Sequence, residues 1–347
     1  MYTTSIGQSR MVITDGPYIN YTDKGYEIKL IKKNNLRKKK CKEIKEESFN
    51  VLPFDITVRE RQEYDSQFNF EDVSKIAAIS DIHGQYDVMI KLFTENGIID
   101  ESLHWNFGEG HLVITGDIFD RGDQVTEILW FVYKLEEEAK KAGGRIHMLL
   151  GNHEVMILNG DVRYIHKKYR YASAITKQMY SSLFNINSVL GDWLRSKPVS
   201  ISINDIVFLH AGFSTELIDK NISIEDINYS FRTKLIDGDK EEIEQDSVLA
   251  AIYFDKGPIW YRGYIDGDNF TEENADYILK KLDKKHIVVG HTSMQSIVSL
   301  YDERIFMIDS SIKFGKSGEI LLWEDNQFMR GTLTGQTISI TPFNVFK

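Results

Sequence analysis

Five short apolar runs, each breaking off into a polar cluster, constrain this chain more than any other feature. They are Ile76-Ala77-Ala78-Ile79, Leu112-Val113-Ile114-Thr115, Ile146-His147-Met148-Leu149-Leu150, Ile206-Val207-Phe208-Leu209 and Ile287-Val288-Val289. Each has the length of a strand, and helix-like segments often follow, which is the alternation of a layered α/β protein. The clusters are Asp81-Ile82-His83-Gly84, Gly116-Asp117-Ile118-Phe119-Asp120-Arg121-Gly122, Gly151-Asn152-His153-Glu154, His210-Ala211-Gly212 and Gly290-His291-Thr292. On an α/β reading all five stand at the carboxyl ends of strands, where open sheets carry their sites.

The rest of the chain is organised around these runs. Residues 11 to 33 hold two strand-like stretches about Thr22-Asp23-Lys24-Gly25, the pattern of a hairpin. Residues 31 to 48 are rich in lysine, including Lys38, Lys39, Lys40 and Lys42, and are read as a solvated linker or an exposed strand edge. Residues 1–70 are therefore an N-terminal extension, hairpin then linker, packed on a catalytic domain of residues 71–347. Two helical-looking insertions, near 155–198 and 213–285, leave directly from the polar clusters and are expected to form a cap. Within the first, Lys167, Lys168 and Arg170 are read as a solvated basic helix face, with attraction of anionic substrates as the sharper alternative. Tyr164, Tyr169, Tyr171, Tyr180, Phe184 and Trp193 are expected to pack that lid.

Composition narrows the function classes. A formal charge of −10 opposes a general nucleic-acid binder, which needs a basic surface to displace phosphate counterions. The single cysteine, Cys41, is read as an incidental thiol, and it excludes an intramolecular disulfide. No signal-peptide core or membrane-length apolar run is visible, so cytoplasm is the expected compartment unless a leader has been trimmed. His104, His111, His147, His166 and His286 lie outside the loop tips and are read as surface or core residues.

The chemistry lies in the five clusters. A pair of divalent transition ions needs carboxylate and imidazole ligands and one group able to bridge them. Asp81 and His83, two residues apart at a strand end, suit one ion, with Gly84 permitting the tight turn. Asp117 offers an oxygen to each ion, and Asn152, His210 and His291 complete the shell of the second.

This series of loops resembles the calcineurin-like metallophosphoesterases, and within them the phosphoprotein phosphatase family. Ile259-Trp260-Tyr261-Arg262-Gly263 is similar to the bacterial Shewanella-like branch, and the motifs span roughly residues 76 to 312. The resemblance implies a two-sheet β-sandwich flanked by helices, and two divalent transition ions (Mn, Fe or Zn) as cofactors. It implies Asp81, His83 and Asp117 around the first ion, and Asp117, Asn152, His210 and His291 around the second. It implies hydrolysis of phosphomonoesters by a metal-bridging hydroxide, with Arg121, Arg262 and Asn152 holding the phosphate. His153 is then the general acid for the leaving alkoxide, oriented by Asp120. Ser80 and Ala211 stand where the eukaryotic Ser/Thr enzymes usually carry glycine, which loosens any transfer of their substrate preference. The expected partner is a phosphorylated protein, on Ser/Thr or Tyr, or a small phosphoester. Alternatives are dinucleoside polyphosphate or nucleotide hydrolysis, and a non-catalytic scaffold, which would have lost ligands that are all present here.

Overall fold

Each of the five apolar runs is a strand, and pairing sorts them into two groups. In a computed structural model describing residues 11–61, 64–266 and 270–345, one sheet contains β5 (Lys75–Ile79), β6 (His111–Ile114) and β7 (Arg145–Met148), mutually parallel. Antiparallel β13 (Glu319–Glu324), β14 (Gln327–Thr332) and β15 (Thr337–Ser339) extend it beyond β5. The second sheet is centred on parallel β9 (Ile206–Leu209) and β10 (His286–Val289). Its order is β16-β11-β12-β10-β9-β8-β4, with β4 at Asn69–Phe70, β8 at Ser200–Ile203, β11 at Val298–Leu300, β12 at Ile305–Met307 and β16 at Thr341–Pro342.

The sheets face each other across one apolar layer. Ile76, Ala78 and Val113 from one meet Ile201, Phe208, Val288 and Phe306 from the other. Helices cover the outside, including α1 (Tyr86–Glu95), whose buried residues recur at helical spacing, and α2 (Val125–Lys141), buried on nearly every side through Tyr133. A strand with both faces covered must be apolar at every position, and this explains the unbroken runs. The catalytic-domain expectation of a two-sheet sandwich flanked by helices describes this arrangement.

The N-terminal segment departs from the hairpin-and-linker reading. β1 (Asp15–Thr22), β2 (Gly25–Lys32) and β3 (Asn35–Cys41) form a three-stranded antiparallel meander. The lysine-rich stretch is its edge strand, pairing with β2 through seven residues from Lys32↔Asn35 to Tyr26↔Cys41. Backbone hydrogen bonds decide this, since a basic edge strand pays no burial cost while its charges keep the edge from recruiting another chain. The other side of the meander is tied down: Pro17 O accepts from Trp130 Nε1 at 2.9 Å and Asn187 O from the Tyr21 amide at 2.8 Å.

A second correction concerns Lys168, on the helix α4 (Lys167–Thr176). It is buried, with its ammonium 3.1 Å from Asp15 Oδ1, 3.1 Å from Glu127 Oε1 and 2.6 Å from Asp123 O. Helix periodicity turns Lys168 inward while Lys167 and Arg170 remain exposed, so the three do not form one basic face. No described helix is long and apolar enough to cross a membrane.

Candidate metal centre

The loops after β5, β6 and β7 approach those after β9 and β10 where the carboxyl ends of the two sheets meet. The chain must turn sharply there, and six residues at the loop tips adopt left-handed backbone: Asp81, His83, Asp117, Asp120, Arg121 and His291, with φ between 47° and 71°. Asp and His visit that region more readily than most residues, but so many together mark strain held in place by the surroundings. Close approach fixes the glycines as well. A Cβ on Gly290 would lie 1.8 Å from Ser80 Oγ and 2.5 Å from Asp81 Oδ2, bringing the two sheets' loops together at a distance only glycine allows.

Asp81, His83, Asp117, Asn152, His153, Asp120, His210 and His291 are all buried and converge. Asp117 is the hub. Its Oδ2 lies 3.3 Å from His210 Nε2, 3.7 Å from His83 Nε2 and 3.8 Å from His153 Nε2. Its Oδ1 accepts the His153 amide at 3.0 Å. Asp81 Oδ1 stands 3.8 Å from His83 Nε2, and Asp81 Oδ2 accepts from the His291 amide at 2.8 Å and from Ser80 Oγ at 2.6 Å. Ser80 in turn receives the Thr115 hydroxyl at 2.7 Å. The serine that replaces a glycine thus orients Asp81.

Outer contacts set the imidazole tautomers. His83 Nδ1 donates to Phe119 O at 2.7 Å, and His210 Nδ1 donates to Thr115 O at 2.9 Å. Both Nε2 atoms therefore direct lone pairs inward, as metal-ligating histidines do. Around His210 Nε2 stand further acceptors: Asn152 Oδ1 at 2.9 Å, His291 Nδ1 at 3.1 Å and Asp117 Oδ2. Oxygen and nitrogen atoms gathered this closely suit a cation among them. Two groups offer ligand atoms within 4.8 Å of one another, His83 with Asp117 and His153, and Asp117 with His210 and His291. The donor set, oxygen and imidazole nitrogen mixed, fits two divalent transition ions.

The charges of the cluster agree. Burial, then the neighbouring Asp309, pushes the Asp81 carboxyl up to about 8. Burial holds the His83 and His291 imidazoles down, to about 3 and about 2, which keeps them neutral ligands. His210, although burial opposes its charging, is raised to about 9 by Asp117, the same carboxylate whose charge a bound metal cation would offset.

His153 lies beside this group. Its Nδ1 is 2.5 Å from Asp120 Oδ2, leaving Nε2 to face the cluster. Burial disfavours its charge, but Asp117 and the bond to Asp120 outweigh that and raise its pKa. Arg121 and Arg262 are exposed at the rim, and among the described residues neither guanidinium has an ion-pair partner. Arg262 Nη1 donates to His291 O at 3.1 Å, which anchors it beside the cluster. The Arg121 amide donates to Tyr164 O at 3.2 Å.

Two contributors exceed the sequence reading. Glu154 is fully buried, and its carboxylate accepts the amides of Asp117, Ile118 and Gly151 at 2.7, 2.7 and 2.8 Å, locking two of the loops together. Its position three residues after Gly151, at the start of the helix α3 (Asn152–Leu158), is the capping-box spacing that could have announced it. Asp309 was missed, although it follows the apolar strand β12 in the pattern of the other loops. The remaining histidines are structural: His147 and His111 contact each other at 3.1 Å, His104 lies 3.1 Å from Glu138, His166 caps α4, and His286 donates to Glu303 O.

Comparison with known proteins places this geometry. The family description "Calcineurin-like phosphoesterase" matches residues 74–294. Shewanella-like protein phosphatase 1 of Plasmodium berghei is 30% identical over 76% of this chain and 74% of its own length. The symmetrical bis(5'-nucleosyl)-tetraphosphatase of Chromobacterium violaceum is 28% identical, but over only 41% of this chain and 44% of its own. Among solved structures, the cold-active protein-tyrosine phosphatase of a psychrophilic Shewanella species superposes with a TM-score of 0.89 at 39% identity, covering 94% of this chain and 99% of that one.

Proposed function

This chain belongs to the calcineurin-like phosphoesterase family, and from that premise we propose that it is a metal-dependent protein phosphatase using the cluster around Asp117 as its dinuclear centre. The observation that carries the reading is the convergence of buried oxygen and imidazole nitrogen atoms from Asp117, Asn152, His210 and His291 on one point. Asp81, His83 and Asp117 would hold one ion and Asp117, Asn152, His210 and His291 the other, with Mn, Fe and Zn all suited to the donors. Such ions supply, when bound, a lowered water pKa near neutrality and positive charge for the phosphoryl oxygens. Similarity along most of the length of a Shewanella-like protein phosphatase favours phosphoprotein over dinucleotide substrates. A scaffold without activity has no reason to keep an intact ligand set around a paired His153.

The remaining steps fall to this chain's own side chains. Arg121 and Arg262 present guanidiniums at the rim, suited to gripping two phosphoryl oxygens in a plane. Asp120 accepts the Nδ1 proton of His153, and Asp117 together with Asp120 favours, against burial, the charged ring that carries a second proton on Nε2. The Nε2 proton passes to the leaving oxygen as its bond to phosphorus breaks. His153→Asn should therefore keep both metals yet slow alkyl phosphoester hydrolysis by about a hundredfold, and activated aryl esters less. Equal losses on the two substrate types, or loss of a metal, would assign His153 a ligand role instead.

The pH dependence follows from the same pair. Against burial, Asp117 and then the bond to Asp120 raise the His153 pKa, so the protonated acid persists further into the alkaline range than a free imidazole would. Asp120→Asn removes that support, and the alkaline limb of kcat should move to lower pH. An unmoved limb would show that another group donates the proton. The basic test is release of phosphate from phosphoserine, phosphothreonine and phosphotyrosine peptides and from dinucleoside polyphosphates by protein loaded in turn with each metal.

A further inference from the structure

Tyr164 was expected to pack inside a lid, yet 48% of it is exposed, beside His153. Its ring centroid is 5.6 Å from that of His153. The Arg121 guanidinium carbon lies 6.0 Å from the ring centroid and that of Arg163 lies 5.4 Å away, with Arg163 held by Asp161 at 2.7 Å. The main chain is fixed too, since Tyr164 O accepts the Arg121 amide at 3.2 Å. The ring is therefore open to solvent while lying beside His153 and flanked by two guanidiniums, so a substrate group entering toward His153 meets it.

We propose that Tyr164 is a specificity-determining residue that stacks against the leaving group and selects phenolic phosphoesters, the phosphotyrosyl type, over alkyl ones. The inference rests on the phosphatase reading of the site and adds to it the class of leaving group. In hydrolysis the P–O bond to the leaving group breaks, water supplies the oxygen that joins phosphorus, and the departing oxygen takes a proton. That oxygen must come within hydrogen-bond reach of His153 Nε2. A phenolic oxygen carries its ring directly behind it, so the ring of a phosphotyrosyl group falls in the region that Tyr164 borders. Tilted or edge-on aromatic pairing at centroid separations of 4.5–7 Å is the favoured geometry there. An alkyl leaving group of serine or threonine offers no face to the ring and gains little from it. The flanking guanidiniums keep Tyr164 in place, so little side-chain entropy is lost on binding.

The test compares Tyr164→Ala and Tyr164→Phe with the unmodified protein, each loaded with the same metal. Tyr164→Ala is expected to lower kcat/KM for a phosphotyrosine peptide about tenfold, about 1.4 kcal/mol, and to change it less than about twofold for a phosphoserine peptide of the same flanking sequence. Tyr164→Phe, which keeps the ring, should retain the preference. Binding gives an independent reading: the affinity ratio of phenylphosphonate to methylphosphonate, from calorimetry, should collapse in Tyr164→Ala alone. Equal losses on both peptides would make Tyr164 a mere support for His153 or Arg121 and overturn the proposal, as would no loss on either. A wild-type protein that hydrolyses no phosphoester with any metal would sink the phosphatase reading itself, an outcome distinct from an active enzyme indifferent to Tyr164.

Discussion

Asp117→Asn is expected to abolish measurable phosphoester hydrolysis and to leave the purified protein with less than its full complement of two metals. The carboxylate is buried, and its Oδ2 lies within 4 Å of three imidazole Nε2 atoms, those of His83, His153 and His210. Asparagine preserves the oxygen that accepts the His153 amide, so the loop geometry should survive. It removes the negative charge that would offset two divalent cations, and at a buried site that charge has no substitute. Metal content by elemental analysis, set beside turnover of p-nitrophenyl phosphate, checks this. Near-normal turnover with two ions bound would refute the bridging role, whereas lost activity with both ions retained would make Asp117 a participant in chemistry but not a ligand.

The largest effect on stability is expected at Lys168, far from the reacting atoms. Removing its ammonium by Lys168→Ala leaves Asp15 and Glu127 facing each other without the cation that joins them, since the side chains of Asp15, Lys168 and Glu127 are only 0%, 8% and 17% exposed. Stranding a buried charge in this way typically costs about 3–5 kcal/mol. Part of the loss is relieved because burial already pushes the Glu127 carboxyl up to about 7, although Lys168 opposes this, so protonation of Glu127 becomes easier once the lysine has gone. The cost should therefore be smaller at pH 5 than at pH 8. Lys167→Ala, one residue away and exposed, should stay within about 0.5 kcal/mol. Urea titrations of both variants decide it, and a Lys168→Ala midpoint matching the wild type would return the residue to the surface. Because Asp15 begins the meander and Glu127 lies on α2, faster amide exchange in β1 should accompany the loss.

Lys168 also shows where reading the chain stops working. The run His166-Lys167-Lys168-Tyr169-Arg170 contains nothing apolar enough to announce an inward face apart from Tyr169. Burial of a lysine is cheap only when two carboxylates wait for it, and Asp15 lies 153 positions earlier in the chain. The basic stretch Asn35–Cys41 could be read only as linker or strand edge, because its strand conformation depends on the free backbone groups of β2 beside it and not on its own composition. Tyr164 was misread for a related reason: aromatic residues in an insertion are usually packed, and only placement against His153 distinguishes this one.

What the amino-acid sequence determined by itself is the framework of the candidate metal site. Doubly covered strands must be apolar throughout, and the residues that end them must be the ones able to face a shared polar site. The five runs and the ligand types that follow them could therefore be read locally, in order, without knowing which sheet held which strand. Tertiary structure alone decided how the two sheets bring Asp81 and Asp117 to His210 and His291, which nitrogens of the histidines face inward, that Glu154 braces the centre and that Asp309 adds its charge beside Asp81. It also decided which cations were buried and which aromatic stood open at the rim. These depend on through-space electrostatics and on hydrogen bonds between segments far apart in the chain, and such pairings leave no periodic trace in the residues that make them.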